Sequence, residues 1–225
     1  MKTLIIASSK PWHKAIFDQV NKKSNLKCSY ISTPDELDAA LKTNTNFHYI
    51  FFLHWNWKVS SENLKKYECI CFHMTDLPYG RGGSPLQNLI LDGKTETMIS
   101  AFKMTEEMDA GPIYAKKPMS LDGRAEDIFK RAGALSLEII NWIIQNEPVP
   151  EPQKHKPKYF NRRKPEQSLM PTQGALSQIY DFIRMLDAPT YPLTFIDYGD
   201  FRLEFSHSKL VDNFIEARVM IKKKV

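Results

Sequence analysis

Tyr49–Leu53 (YIFFL) is an unbroken apolar run of strand length, and Cys69–Phe72 (CICF) repeats the pattern after a polar stretch. A strand with one wet face alternates in polarity. One that is apolar at every position is covered on both faces, as the strands of parallel sheets are. Thr3–Ser8 (TLIIAS) has the same character, and Leu26–Ser32 reads as an alternating strand. Helix-like segments separate them, one around His13–Asn21 and one beginning at Thr33-Pro34-Asp35-Glu36. In the second, Thr33 is placed to cap, Pro34 takes the first helical position and Glu36 reaches back as a capping box. Such alternation builds right-handed βαβ units, so the first half reads as a parallel sheet covered by helices. Ligands of these sheets collect beyond the carboxyl ends of the strands, which singles out Ser8–Trp12, His54–Lys58 and His73–Ser84.

Glu96–Met104 and Pro112–Lys116 read as two further strands, joined by a turn containing Asp109-Ala110-Gly111. Ala125–Gln145 reads as one long amphipathic helix whose apolar face is Ile128, Ala132, Leu135, Ile139 and Trp142. Six of the 14 prolines then fall within Pro148–Pro171, among Lys154, Lys156, Lys158, Arg162, Arg163 and Lys164. Proline removes backbone donors and keeps the preceding residue out of helix, so this stretch is expected to run extended over the surface. A helix at Leu176–Leu186, a hairpin at Tyr198-Gly199-Asp200 and a strand at Phe214–Ile221 complete the chain. The expected organisation is a catalytic domain over 1–150, a proline-rich basic linker over 151–170 and a small C-terminal α+β subdomain over 171–225. A tail of that size is too small for an independent core and is expected to dock on the first domain or on a second copy.

The chain is 42% apolar, 12% aromatic and 25% charged, an ordinary globular composition that excludes disordered, collagenous and disulfide-scaffold classes. A net charge of +5 is too weak to argue for nucleic acid by itself. Cys28, Cys69 and Cys71 form an odd, sparse set without paired spacing, which argues against a metal site and for a reducing, cytoplasmic compartment. Neither a signal peptide nor a membrane-spanning run is evident.

The densest segment is His73–Pro85 (HMTDLPYGRGGSP), where three glycines and two prolines follow the carboxyl end of a buried strand. Such a loop brings backbone close to something. It is not a phosphate cradle, since both glycine-rich phosphate-binding spacings are missing. Asp109 alone reads as a turn former. Together, FHMTDLPYGRGGSPLQNLI and the later MTEEMDAGPIY resemble the 10-formyltetrahydrofolate-dependent formyltransferases. The motif of that family, Asn-x-His-x-Ser-x-x-Pro-x-x-Arg-Gly-x-x-Pro followed by Asp-x-Gly, falls without a gap on His73, Thr75, Pro78, Arg81-Gly82, Pro85 and Asp109. Cys71 stands where the family has its asparagine. The resemblance runs from about Thr3 to Gln145 and, more weakly, into YFNRRKPEQ and IYDFIRMLDAPTYPLTF.

The resemblance implies a Rossmann-like formyltransferase domain and formyl transfer from 10-formyltetrahydrofolate to an amine, with tetrahydrofolate as product. By the same resemblance, His73 polarises the formyl oxygen and Asp109 assists proton transfer. Cys71 is expected to pack rather than attack, because a nucleophilic thiol needs exposure and a base. The implied cofactor contacts are Thr75, Leu77, Pro78, Tyr79, Gly80, Arg81 and Gly82, with Met104, Thr105, Glu106 and Met108 from the second segment. Lys10, His54, Trp55, Gly83 and Ser84 are the expected substrate contacts. At finer grain, FFLHWNWKVS and YFNRRKP resemble sugar formyltransferases of pseudaminic acid biosynthesis and formylation domains of nonribosomal peptide synthetases. That branch implies a small nucleotide-linked acceptor, UDP-4-amino-4,6-dideoxy-N-acetyl-altrosamine, with no nucleic-acid or membrane partner. Methionyl-tRNA formylation, a folate-binding protein without turnover and a formyltetrahydrofolate hydrolase are the alternatives.

Overall fold

The computed structural model describes residues 1–43 and 46–224. Its central sheet holds six strands in the order β2-β1-β3-β4-β6-β7. These are β1 (Lys2–Ser8), β2 (Leu26–Ile31), β3 (Tyr49–Leu53), β4 (Cys69–His73), β6 (Glu96–Lys103) and β7 (Ile113–Ser120). The β1–β2, β1–β3 and β3–β4 pairings are parallel, whereas β6 runs antiparallel to β4 with His73 opposite Ser100. The fold is therefore the expected mixed α/β class with a mainly parallel sheet and a small β-rich C-terminal part. The continuous apolar runs are explained by burial on both faces: Leu4, Ile5, Ile6 and Ala7 of β1 are all fully buried.

Two compact units emerge. The first comprises Met1–Arg81, Met98–Met119 and Lys130–Tyr159. One face of its sheet is a cluster of Ile5, Ala7, Ile31, Ile50, Phe52 and Cys69 packed with Leu37 and Leu41 of α2 (Pro34–Thr43). Thr33 caps α2 through the Glu36 amide at 3.3 Å, while the Glu36 carboxylate reaches chiefly to the Ser32 amide and hydroxyl at 2.7 and 2.9 Å. The capping box is thus displaced by one residue from the sequence reading. Helix α1 (Lys14–Asn21) buries Ile16 and Val20, and α3 (Ser61–Lys66) is capped by the Ser60 hydroxyl.

The apolar face of α5 (Ala125–Asn146) differs from its sequence reading. Leu135 is only half-buried and Trp142 is 42% exposed, while Ile139, Ile140, Ile143 and Ile144 carry the buried stripe at the helix's carboxyl end. At about 100° per residue, Leu135 and Trp142 fall at one edge of the buried arc, whose middle is taken by Ser136, Ile140 and Ile143.

The second unit comprises Gly82–Thr97, Ser120–Phe129 and Phe160–Val225. It holds α4 (Pro85–Leu91), α6 (Leu176–Arg184) and an antiparallel sheet of β9 (Thr194–Tyr198), β10 (Phe201–Val211) and β11 (Phe214–Lys223). A buried polar network ties it. Arg184 donates to the carbonyls of Leu121 and Gly123 at 2.6 and 2.9 Å, and Asp187 accepts from the His207 amide at 2.6 Å. His207 sits at φ 54 in the register irregularity of β10, the bulge that turns its amide out of the ladder toward Asp187. The proline-rich stretch is extended up to Lys164, where it includes a strand β8 (Lys158–Phe160) pairing with β5 (Tyr79–Gly82), and departs from that expectation in a 3-10 turn at Pro165–Ser168.

Candidate active site

His73 ends β4 and is 8% exposed. Its Nε2 lies 2.8 Å from the Gly80 carbonyl, and a carbonyl only accepts, so Nε2 carries a proton and donates it. The opposite ring nitrogen, Nδ1, faces Asp109 Oδ2 at 3.9 Å. The loop beyond β4 is built to hold this ring. Thr75 is fully buried, its hydroxyl donates to the same Gly80 carbonyl at 3.4 Å, and its carbonyl accepts from Ser100 at 2.6 Å. Gly80 is at φ 76, in the left-handed region where a side chain is disfavoured, and this turns its carbonyl inward.

Because β6 is antiparallel to β4, the chain leaving β6 returns alongside Cys69, whose carbonyl accepts from the Met104 amide at 2.8 Å. Segment 105–108 is exposed, and Asp109 follows in a left-handed conformation at φ 54. Its side chain is 14% exposed. Gly111 is required by space, since a Cβ there would run into the Lys103 carbonyl.

Cys71 is half-buried on β4. Burial, and then the Asp109 charge, push its thiol well above the ordinary cysteine range. Protonated at neutral pH, it is unfit as a nucleophile.

Arg81, 8% exposed, donates to Gln153 Oε1 from Nη2 at 2.9 Å and from Nε at 3.2 Å, and to Glu107 at 3.0 Å. Its charge is therefore engaged by the protein itself. Leu77 is 1% exposed and belongs to the core, so its side chain offers no surface to a ligand. The Leu77–Pro78 peptide is cis, and the Tyr79 ring lies under Lys158 Nζ at 5.0 Å. Thr105 bonds the Glu107 carbonyl, Glu106 pairs loosely with Lys65 at 3.7 Å, and Met108 is 69% exposed.

Three strand ends meet near His73. His54, at φ 51, follows β3, and its ring lies 5.6 Å from that of His13, whose Nδ1 is 2.7 Å from the Ser8 hydroxyl at the end of β1. Burial pushes His13 down to about 4 and His54 down to about 3. The charges of His13, Lys10 and His73 add to the shift at His54. Both rings are thus neutral at pH 7. Lys10 lies over the Trp12 ring at 5.5 Å and is lowered by burial. Trp55 packs edge-on against Phe52 at 5.5 Å, part of the sheet's own core.

Gly82, Gly83 and Ser84 belong to the second unit. There the two glycines sit against the backbone of Phe160 and Arg162, and Ser84, at φ 50, accepts from the Arg163 amide at 3.0 Å. Sequence reasoning passed over Gln153 and His13, and took Glu107 only as part of the Thr105–Met108 backbone. Gln153 stands in a proline-rich segment 44 residues from Asp109, and no motif marks it. A recess lined by Met1, Lys2, Lys23, Asn25 and Asn141 lies at the amino ends of β1 and β2, away from these groups. Among the described residues no cluster of three or more metal-ligating side chains occurs, and no helix is long and apolar enough to cross a membrane.

Residues 165–222 match the family model described as the methionyl-tRNA formyltransferase C-terminal domain. A solved methionyl-tRNA formyltransferase from Clostridium thermocellum is 40% identical, each chain covering 100% of the other, with a TM-score of 0.96. The methionyl-tRNA formyltransferase of Sorangium cellulosum is 32% identical over 136 residues, 57% of this chain and 44% of the relative. The chain thus spans about half the length of the curated relatives it matches. A 4-N formyltransferase from Francisella tularensis shares the fold at 15% identity and a TM-score of 0.69, over 88% of this chain and 93% of that one.

Proposed function

Since this chain belongs to the formyltransferase family, we propose that it transfers a formyl group from 10-formyltetrahydrofolate to a primary amine at the His73–Asp109 pair. The observation that carries the reading is the pair itself: a buried imidazole and a partly buried carboxylate, 3.9 Å apart, on the motif positions of the family. The accessible groups that would flank a formyl donor at the pair are the exposed segment 105–108 and the half-buried Pro78 and Tyr79. When bound, 10-formyltetrahydrofolate supplies the activated formyl group.

The remaining work falls to this chain's side chains. An amine attacks only when neutral, and the Asp109 carboxylate accepts the proton it gives up. Negative charge develops on the formyl oxygen, and a positioned donor there contributes on the order of 3 kcal/mol. His73 Nε2–H is committed to the Gly80 carbonyl. The donor for the oxygen is therefore Nδ1–H, present when the ring carries its second proton.

The acceptor favoured by the relatives is the α-amine of methionyl-tRNA, in place of the nucleotide sugar expected from the finer sequence motifs. A nucleotide-linked amino sugar is the second reading, and one observation supports it. Two basic residues of the β9–β11 sheet are neutralised by its own acids, Arg202 by Asp197 at 2.9 Å and Lys222 by Glu204 at 2.6 Å, which leaves less charge for phosphates.

Tetrahydrofolate release from 10-formyltetrahydrofolate should be measured with methionyl-tRNA and, separately, with UDP- and dTDP-linked amino sugars, each product being weighed by mass spectrometry. Release with methionyl-tRNA and one formyl group added to its amine is the expected result. Release with a sugar alone transfers the assignment to the second reading. Folate binding without release in either arm overturns formyl transfer, and release without any acceptor points to hydrolysis.

A further inference from the structure

We propose that Gln153 is a positioning residue that holds Asp109 against His73, an inference that rests on the formyl-transfer reading above. Gln153 Nε2 donates to two carbonyls of the Asp109 turn, those of Asp109 and Gly111, each at 2.8 Å. Its Oε1 accepts from Arg81 Nη2 at 2.9 Å and Nε at 3.2 Å. The orientation of the amide is unambiguous, because guanidinium only donates and carbonyls only accept.

The register explains how a residue so distant in sequence arrives there. Ile113 and Glu151 form an antiparallel bridge, with amide-to-carbonyl distances of 2.7 and 2.9 Å, and two residues further on Gln153 stands opposite Gly111. Pro150 and Pro152 flank this bridge and stiffen it. Asp109 needs such a hold. At φ 54 it is in the left-handed region, which Asp tolerates better than most side chains but still at a cost, and such conformations persist where the surroundings over-determine them. Arg81, buried and also bonded to Glu107 within the same turn, anchors the far side of the Gln153 amide. Arg81, on β5, thus acts on the turn after β6 through a glutamine from a third segment.

The test is Gln153→Met, which removes both donors and the acceptor at similar volume, beside Gln153→Glu, which keeps the acceptor for Arg81 but not the two donors to the carbonyls. Both variants should lose about 10- to 100-fold in kcat with little change in KM for 10-formyltetrahydrofolate, as misplacement of a catalytic group does. In an Asp109→Asn background, Gln153→Met should add almost nothing to the residual single-turnover defect. Amide hydrogen exchange at Ala110 and Gly111 should accelerate in both variants while the β4 amides stay protected. Wild-type kcat in Gln153→Met, or a loss that multiplies in full with that of Asp109→Asn, overturns the proposal. If the wild-type protein transfers no formyl group to any acceptor, the functional reading falls separately. Exchange then still decides the clamp: faster exchange at 110–111 supports it, and unchanged exchange overturns it.

Discussion

Asp109 Oδ2 stops 3.9 Å short of His73 Nδ1, while the other nitrogen of the same ring is spent on the Gly80 carbonyl at 2.8 Å. The pair is held facing but not closed. Ring placement falls to Gly80 and Thr75, whereas Asp109 faces the opposite nitrogen.

Replacement of either member should therefore remove chemistry without removing the fold. His73→Ala and Asp109→Asn are each expected to lower kcat by about 100- to 1000-fold, the usual loss for a positioned donor or base. Folate binding, measured by fluorescence titration, should stay within a few fold of wild type. Near-normal turnover in either variant would contradict the assignment.

Acid sensitivity follows from the buried histidines. His13 titrates near 6.5 in the unfolded chain and is pushed down to about 4 in the folded one, chiefly by burial, with the Lys10 charge adding and a Leu53 hydrogen bond opposing. Between those values the unfolded chain binds the extra proton, so stability rises with pH across the window and is lost as pH falls from 6.5 toward 4. His13 alone contributes up to about 3 kcal/mol of that loss, and His54 acts in the same direction. Urea midpoints measured from pH 7 to pH 4.5 should fall, and His13→Gln should flatten the slope.

The thiols should be inert. Cys28 and Cys69 are pushed up to about 12 by burial, and Cys71 is raised further with the help of Asp109. Iodoacetamide at pH 8 should label none of them appreciably in the native protein, as read by intact mass, and all of them in urea. Asp109→Asn removes the charge that opposes thiolate formation at Cys71 and should modestly accelerate its labelling at alkaline pH. Cys71→Ser should keep both fold and turnover, and complete loss of activity in a folded Cys71→Ser protein would instead assign the thiol a direct part.

Gly111→Ala forces a methyl group into the Lys103 carbonyl and should cost roughly 3 kcal/mol, the upper range for overpacking a tight site. Gly93→Ala is the control. It meets no neighbour within 4 Å and suffers only the strain of its φ of 69, about 1 kcal/mol. Thermal denaturation of the two variants should preserve this order.

Local sequence determined the elements and their burial. The continuous apolar runs at Thr3–Ser8, Tyr49–Leu53 and Cys69–Phe72 read as covered strands, and all three are strands, buried throughout Leu4–Ser8 and Ile50–Leu53 but only half-buried at Cys71 and Phe72. Thr33 and Pro34 began a helix because capping is decided within four residues, and the motif around His73 and Asp109 was legible because its spacing is carried by contiguous chain. The tertiary structure decided whatever depends on register between distant segments. It fixed the antiparallel direction of β6 that returns Asp109 to His73, the α5 face that leaves Trp142 at its edge, and the Ser8–His13–His54 contact across two strand ends. Gln153 is the sharpest case: nothing within its own proline-rich segment distinguishes it from its neighbours. It gains its place only because the Ile113–Glu151 bridge sets it opposite Gly111, a consequence of hydrogen-bond pairing that no local pattern encodes.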